Sequence, residues 1–324
     1  MKYFITGGAG FIGSHLTESL LADGHEVVVA DNFSTSTPEN LARLSGNPAL
    51  KVIELDVVES PDKVDALVKD CDCVIHLAAA VGVDLVVKDP VRTITTNVHG
   101  TENVLVPAAK YNRRVLIAST SEVYGKSTHE KFTETDDLLI GSPMNSRWSY
   151  ACSKLLDEFY LMAFQRTKAF PGTVVRFFNT VGPRQTGRYG MVVPRFVAAA
   201  LKNEPISIYG DGEQSRCFCH VADVVRALKL LLAKPESVGE VFNIGSQELV
   251  SIKQLAERVI AVTGSASEIK YLSYDEAYEQ GFEDMRRRCP NTAKLNALTG
   301  WTPQFCLDDI IRDVAEEMRS RKTF

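Results

Sequence analysis

Lys2-Tyr3-Phe4-Ile5-Thr6-Gly7-Gly8-Ala9-Gly10-Phe11-Ile12-Gly13 is the stretch that decides the fold. A short apolar β run meets glycines at 7, 10 and 13, and a helical pattern follows from Ser14 to Ala22. Glycines so spaced let the backbone turn tightly and approach a pyrophosphate, which rests on the exposed N–H groups of the helix N-terminus. Alone, they would be an ordinary turn. Here the next strand, Glu26-Val27-Val28-Val29-Ala30, ends in Asp31-Asn32. An acid at that strand end accepts both hydroxyls of an adenosine ribose and repels a 2′-phosphate, which favours NAD over NADP.

Outward from that unit the alternation repeats. Val52-Ile53-Glu54-Leu55 leads to Asp56-Val57, Val74-Ile75-His76-Leu77 to Ala78-Ala79-Ala80, and Val115-Leu116-Ile117-Ala118 to Ser119-Thr120-Ser121. Helical segments near 61–69 and 90–112 separate these strands, with Pro107 expected to bend or interrupt the second. Near-continuous apolar strands joined by helical crossovers predict an α/β fold with a parallel sheet covered on both faces. Ligands gather beyond the carboxyl ends of such strands, where Asp56, Ala78 to Ala80, Asn97 and Ser119 to Glu122 fall.

Composition bounds the function. The chain has 324 residues, 45% of them hydrophobic, enough for one large domain and a smaller one. A net charge of −5 without long runs gives no nucleic-acid footprint. Seven cysteines without CxxC spacing predict free thiols in a reducing compartment and no metal site. No apolar run approaches membrane-spanning length and the N-terminus enters a strand directly, so a soluble, cytoplasmic protein is expected.

A second stretch carries chemistry. In Arg147-Trp148-Ser149-Tyr150-Ala151-Cys152-Ser153-Lys154, followed by an apolar-periodic run, a helix is predicted to begin near Ser149. Tyr150 and Lys154 then stand one above the other on one face. An ammonium one turn away favours the phenolate, as does the positive ring of an oxidised nicotinamide. Such a tyrosine takes a proton from an alcohol near neutral pH. His76, inside an apolar strand, reads as a satisfied core histidine.

Together these motifs resemble the extended short-chain dehydrogenase/reductases that modify nucleotide sugars. The resemblance runs through Thr6 to Gly13, Asp31, His76 to Ala80, Asn97, Ser119 to Gly125, Tyr150/Lys154, Arg176 to Gln185, Tyr209 to Phe218, Val221 to Leu228, Val241 to Ser246 and Leu298 to Trp301. It implies a Rossmann-type doubly wound sheet, residues 1–173, with later segments returning to it, and a smaller interleaved C-terminal α/β substrate lobe over 174–324. It assigns NAD to Gly7, Gly10, Phe11, Ile12, Gly13, Asp31, Asn32, Asp56, Val57, Leu77, Ala78, Ala79, Asn97 and Ser119, with Tyr150 and Lys154.

The implied chemistry is a redox cycle on a UDP-sugar. Tyr150 would deprotonate the C4 hydroxyl, Lys154 would lower the Tyr150 pKa and bind the nicotinamide ribose, and Thr120 or Ser121 would hold the C4 oxygen. A 4-ketone turns a C6 carboxylate into a β-keto acid and acidifies C5, so one oxidation leads to epimerisation, dehydration or decarboxylation. The 4,6-dehydratases carry an Asp-Glu pair where this chain has Ser121-Glu122, which disfavours dehydration. Thr-Ser-Glu-Val-Tyr-Gly is similar to UDP-glucuronate decarboxylases, with UDP-sugar 4-epimerases the alternative and a non-catalytic NAD or nucleotide-sugar sensor a remote one. Glu122 would destabilise the keto acid or hand a proton to C5, and Arg216 would place the carboxylate, donate that proton through water, or bind phosphate.

In the second half, Asn179 is expected at a diphosphate oxygen, Arg184 and Arg188 in the adjoining loop, Val193 at the base and Tyr209 beneath the uridine. Of Arg286 to Arg288 one is expected to touch phosphate, with Arg287 chosen. The helices of 90–112 and 149–168 carry apolar residues beyond one face: Val91, Ile94, Val98, Val104 and Leu105, and Phe159, Tyr160, Met162 and Phe164. With the resemblance, this predicts a homodimer through a four-helix bundle.

Overall fold

The computed structural model describes residues 1–82, 86, 88–187, 191–273 and 285–321; Arg188 lies outside them. The first half alternates strand and helix: β1 (Lys2–Thr6), α1 (Phe11–Ala22), β2 (Glu26–Asp31), β3 (Leu50–Glu54), α2 (Pro61–Lys69), β4 (Cys73–His76), α3 (Pro90–Lys110), β5 (Arg114–Thr120), α4 (Trp148–Lys168) and β6 (Gly172–Phe177). The second half continues with β7 (Thr180–Val181), α5 (Val192–Leu201), β8 (Ile206–Tyr209), β9 (Ser215–Cys217), β10 (Cys219–His220), α6 (Val221–Ala233) and β11 (Val241–Ile244). Then come β12 (Leu249–Ser251), α7 (Ile252–Thr263), β13 (Ile269–Leu272), β14 (Arg287–Arg288), α8 (Ala293–Thr299) and α9 (Leu307–Arg321).

A seven-stranded sheet runs in the order β11-β6-β5-β4-β1-β2-β3, every pair parallel. It is the doubly wound α/β arrangement expected from the sequence. Period-2 alternation explains its two faces: Phe4 packs with Val74, Val104 and Leu161, whereas its neighbour Ile5 packs with Leu16, Val224 and Leu228. Both are fully buried, and each such side chain contributes about 1.5–3 kcal/mol. The order reverses at β1, between β4 and β2, which opens a crevice beyond the strand ends.

α6, β11 and Trp301 join the core on the α1 side of this sheet. A separate core gathers Val193, Phe196 and Val197 of α5, Leu255 and Val259 of α7, and Ile310, Ile311 and Val314 of α9. The small sheet β12-β9-β14 lies in this half of the chain, with Arg288 in register with Arg216.

Pro107 does not interrupt α3. It sits in the last turn, where its missing N–H costs one hydrogen bond; the Pro107 carbonyl still accepts from Tyr111 N at 2.9 Å as the helix ends. α3 and α4 pack side by side, Val104, Leu105 and Leu161 facing inward. Val91, Ile94, Leu156 and Phe159 stay exposed, Val91 at 73% and Phe159 at 64%.

Candidate active site

One cleft of about 530 Å³ runs along the carboxyl ends of the main sheet and reaches residues of the second half of the chain. Its first half is backbone-built. Gly7 has φ +70°, and a Cβ there would meet Ala78 N at 2.8 Å; one on Gly13 would meet Gly7 O at 2.2 Å. Side chains at either position are excluded by the turn itself, which brings Gly7, Gly10, Phe11, Ile12 and Gly13 to the cleft. Asp31 closes β2 and accepts from Ala9 N at 3.0 Å and Ser36 Oγ at 2.7 Å, fixing its carboxylate at the rim. Asn32 donates to Asp56 at 2.7 Å, and Val57, Leu77, Ala78, Ala79 and Ser119 line the cleft beside them.

Asn97 stands elsewhere than expected. It is fully buried behind the cleft, accepting from Ala80 N at 2.8 Å and donating to Ser153 Oγ at 3.0 Å, so it fixes the backbone that lines the cleft.

The centre of the cleft is held by β5 and the turn after it. Ser119 donates to Glu158 at 2.5 Å, Glu158 takes Arg176 in a two-pronged contact at 2.9 and 2.7 Å, and Arg176 donates to Tyr124 Oη at 2.9 Å. Thr120 caps the turn by accepting from Glu122 N at 3.2 Å. Thr120, Ser121, Glu122, Tyr150 and Lys154 thus converge on one stretch of wall.

Electrostatics there differ from the sequence expectation in two ways. Tyr150 hydrogen-bonds Thr120, but its pKa is raised, chiefly by burial and next by the Glu122 charge. The Lys154 ammonium donates to Asp157, a buried acid on its own helix, at 2.6 Å. Glu122, in turn, is no proton donor at neutral pH. Burial acts against its charge, but Arg147 at 3.0 Å, Arg288 and Arg216 outweigh it and hold the carboxyl down to about 2.

From the second half of the chain, Asn179, Val193, Tyr209 and Arg216 line the cleft. Asn179 donates to Cys217 O at 2.9 Å, and Arg216 donates to Ser215 O at 2.9 Å. Two expectations fail. Arg184 leaves the cleft wall to pair with Glu18 of α1, an acid its own sequence neighbourhood does not reveal. Arg287 is exposed and outside the cleft lining, because successive strand residues point to opposite sides; Arg288 is the one that turns in and meets Glu122. Arg195, its guanidinium 4.0 Å over the Tyr209 ring, also lines the cleft and was not singled out from sequence. Nor was Arg147, whose position in the quoted stretch was the only signal.

Several buried polar atoms of lining residues have no partner among the described residues: Thr180 Oγ1, Gln185 Oε1, Gln214 Oε1 and Arg288 Nε. Polar atoms so placed cost free energy unless a ligand meets them.

The sequence model of the NAD dependent epimerase/dehydratase family matches residues 3–245, most of the chain and all of the glycine turn, β5 and the Tyr150/Lys154 helix. The chain belongs to that family. The cleft fits its cofactor: the glycine cradle admits close backbone approach, and the Asp31 carboxylate stands at the adjoining strand end. Among relatives of this family member, a UDP-N-acetyl-alpha-D-glucosaminuronate decarboxylase of Bacillus cytotoxicus is 39% identical over 98% of both chains. UDP-glucuronic acid decarboxylase 1 of Xenopus tropicalis is 36% identical over 95% of this chain and 70% of its own. The solved UDP-glucuronic acid 4-epimerase of Bacillus cereus, in complex with UDP-glucuronic acid and NAD, aligns with a TM-score of 0.88 at 27% identity, over 99% of this chain and 100% of its own.

Proposed function

We propose that the protein is an NAD-dependent decarboxylase of a UDP-hexuronate, acting through a transient 4-keto sugar. The single observation that carries this reading is the cluster at Glu122. Arg147, Arg216 and Arg288, from three separate elements, converge on it, and Arg288 Nε has no partner among the described residues. A guanidinium with a spare donor suits a carboxylate, the group that distinguishes a hexuronate from a hexose. The names of the relatives, decarboxylases of UDP-glucuronate and of its 2-N-acetylated counterpart, support the same class.

Bound NAD supplies a hydride acceptor for C4 of the sugar. Tyr150 takes the C4 hydroxyl proton while Thr120, its hydrogen-bond partner, orients the oxygen. A buried phenol with Glu122 nearby needs a cation beside it to act as base, and Lys154 in the same wall provides one. Arg288 and Arg216 hold the C6 carboxylate. Glu122 stays anionic, fixing these guanidiniums and opposing the carboxylate charge, which favours the neutral product CO2. The C5 proton then comes from a donor other than Glu122, with water delivered by the arginines as the candidate. Return of the hydride to C4 and of the Tyr150 proton to its oxygen would give the UDP-pentose, lighter by CO2 alone, and restore NAD; release before that return would leave the 4-keto pentose and the reduced cofactor. Asn179, Arg195, Tyr209 and Gln214 are the proposed nucleotide contacts, and Val193 lines the base.

The exposed stripe Val91, Ile94, Leu156 and Phe159 on adjacent helices supports a homodimer through a four-helix bundle. Free thiols at all seven cysteines support residence in a reducing, cytoplasmic compartment. 4-Epimerisation of the same uronate is the second reading, favoured by the close fold of the Bacillus cereus enzyme. Incubating the chain and NAD with UDP-glucuronate and, separately, UDP-N-acetylglucosaminuronate tests both. A product lighter by CO2 is expected from one or both, and an unchanged mass with both substrates overturns the decarboxylase.

A further inference from the structure

Asp157 has no part in the chemistry above, yet it is 1% exposed and lies 2.6 Å from the Lys154 ammonium. Its carboxylate also accepts from the Thr101 hydroxyl. That contact fixes the direction of a longer chain of hydrogen bonds. Thr101 has one O–H, given to Asp157, so towards His76 Nε2, 3.1 Å away, it acts as acceptor. Burial keeps the His76 ring neutral, its pKa down to about 3, so with Nε2 protonated Nδ1 is bare. Nδ1 accepts from Thr6 Oγ1 at 2.7 Å, and Thr6 Oγ1 accepts from Ala78 N at 3.3 Å.

We propose that Asp157 is a positioning residue for the cofactor: it anchors one donor of Lys154, aims the others into the cleft, and ties Lys154 through Thr101, His76 and Thr6 to the backbone at Ala78. Both ends of the chain, Lys154 and Ala78, line the cofactor half of the cleft, while its middle is buried. The ends of β1 and β4 are thereby held in fixed relation to α4. A free lysine ammonium has three rotatable donors on a flexible stem; tying one of them removes that freedom before the cofactor arrives. The inference rests on family membership and the cofactor cleft, and is independent of which sugar nucleotide is turned over.

The groups facing Asp157 set its response to pH. Lys154 and Glu158 flank it on α4 and Tyr150 lies further back; α3 contributes Thr101, which His76 of β4 meets in turn, while Arg176 of β6 occupies Glu158. Burial is the largest influence and raises the Asp157 pKa against the pull of Lys154. Protonation from the acid side therefore releases the anchor at a higher pH than an ordinary aspartate would.

NAD is titrated into the purified full chain by calorimetry, with no sugar nucleotide present, from about pH 5 to about pH 9. The wild type is expected to lose affinity on the acid side. Asp157→Asn, which cannot hold the ammonium by charge, is expected to bind NAD about tenfold or more weakly at neutral pH and to lack that acid-side fall. Asp157→Glu is expected to restore the fall and part of the affinity. An Asn variant that binds NAD as the wild type does, with the same pH dependence, overturns the proposal. Should the variants not fold, nitrogen-15 NMR of the wild type decides: His76 carries its proton on Nε2, and a proton on Nδ1 instead overturns the chain that ends on Asp157. A chain that binds NAD in this way yet decarboxylates no uronate leaves this inference standing and refutes only the substrate reading.

Discussion

The two halves of the cleft are made of different material. The cofactor half is shaped by backbone: a glycine turn that a single Cβ would fill, strand ends and the exposed N–H groups of α1. The other half, to which we assign the sugar, is shaped by side-chain charge, with Arg147, Arg216 and Arg288 brought to Glu122 from a helix N-terminus and two short strands. Backbone shape tolerates no substitution at its few glycines but asks little of distant sequence. Charge clusters are tunable one residue at a time, which suits the half of the site that must choose a reaction.

Substitutions break this comparison in order of effect. Tyr150→Phe, at the junction of the halves, should lower turnover by about 10³-fold, within the range of general acid–base catalysis, while NAD binding by calorimetry stays close to wild type. Gly13→Ala should weaken NAD binding by about a hundredfold, since its Cβ would lie 2.2 Å from Gly7 O and the turn must open. Arg288→Gln should slow CO2 release by about tenfold to a hundredfold with NAD affinity unchanged, confining the damage to the sugar half. Arg287→Ala, one residue away but exposed, should leave the rate within about twofold.

Acid stability sharpens the same contrast. Glu122 is held down from 4.5 to about 2, so its stabilisation is present above 4.5 and is lost as pH falls towards 2. His76, lowered from 6.5 to about 3, binds its proton more weakly folded than unfolded, so stability also falls as pH drops from 6.5. Both act with the same sign. Urea midpoints should decline steadily below about pH 6, and Glu122→Gln should flatten the lower part of that decline.

This division also explains what the sequence reveals. Strand, glycine turn and helix are local, so β1, α1 and the Asp31 strand end are legible, as are Tyr150 and Lys154 on one helical face. Arg288 is not, because its place depends on β14 pairing in register with β9, some seventy residues away in the chain. Arg184 is lost to Glu18 and Asn97 to the backbone of Ala80 for the same reason: their partners come from elsewhere in the fold. The Asp157 anchor lies three residues from Lys154, yet its meaning depends on Thr101 and His76 from two other elements.

The most direct test of the account follows the fate of C5 in D2O. Incubating the chain, NAD and the accepted UDP-uronate in D2O and recording proton NMR and mass of the product should give a pentose nucleotide lacking CO2 and carrying one solvent deuterium at C5. A six-carbon uronate with inverted C4 and no deuterium at C5 would contradict it, and would leave the arginines around Glu122 as a binding site for the carboxylate rather than the means of its removal.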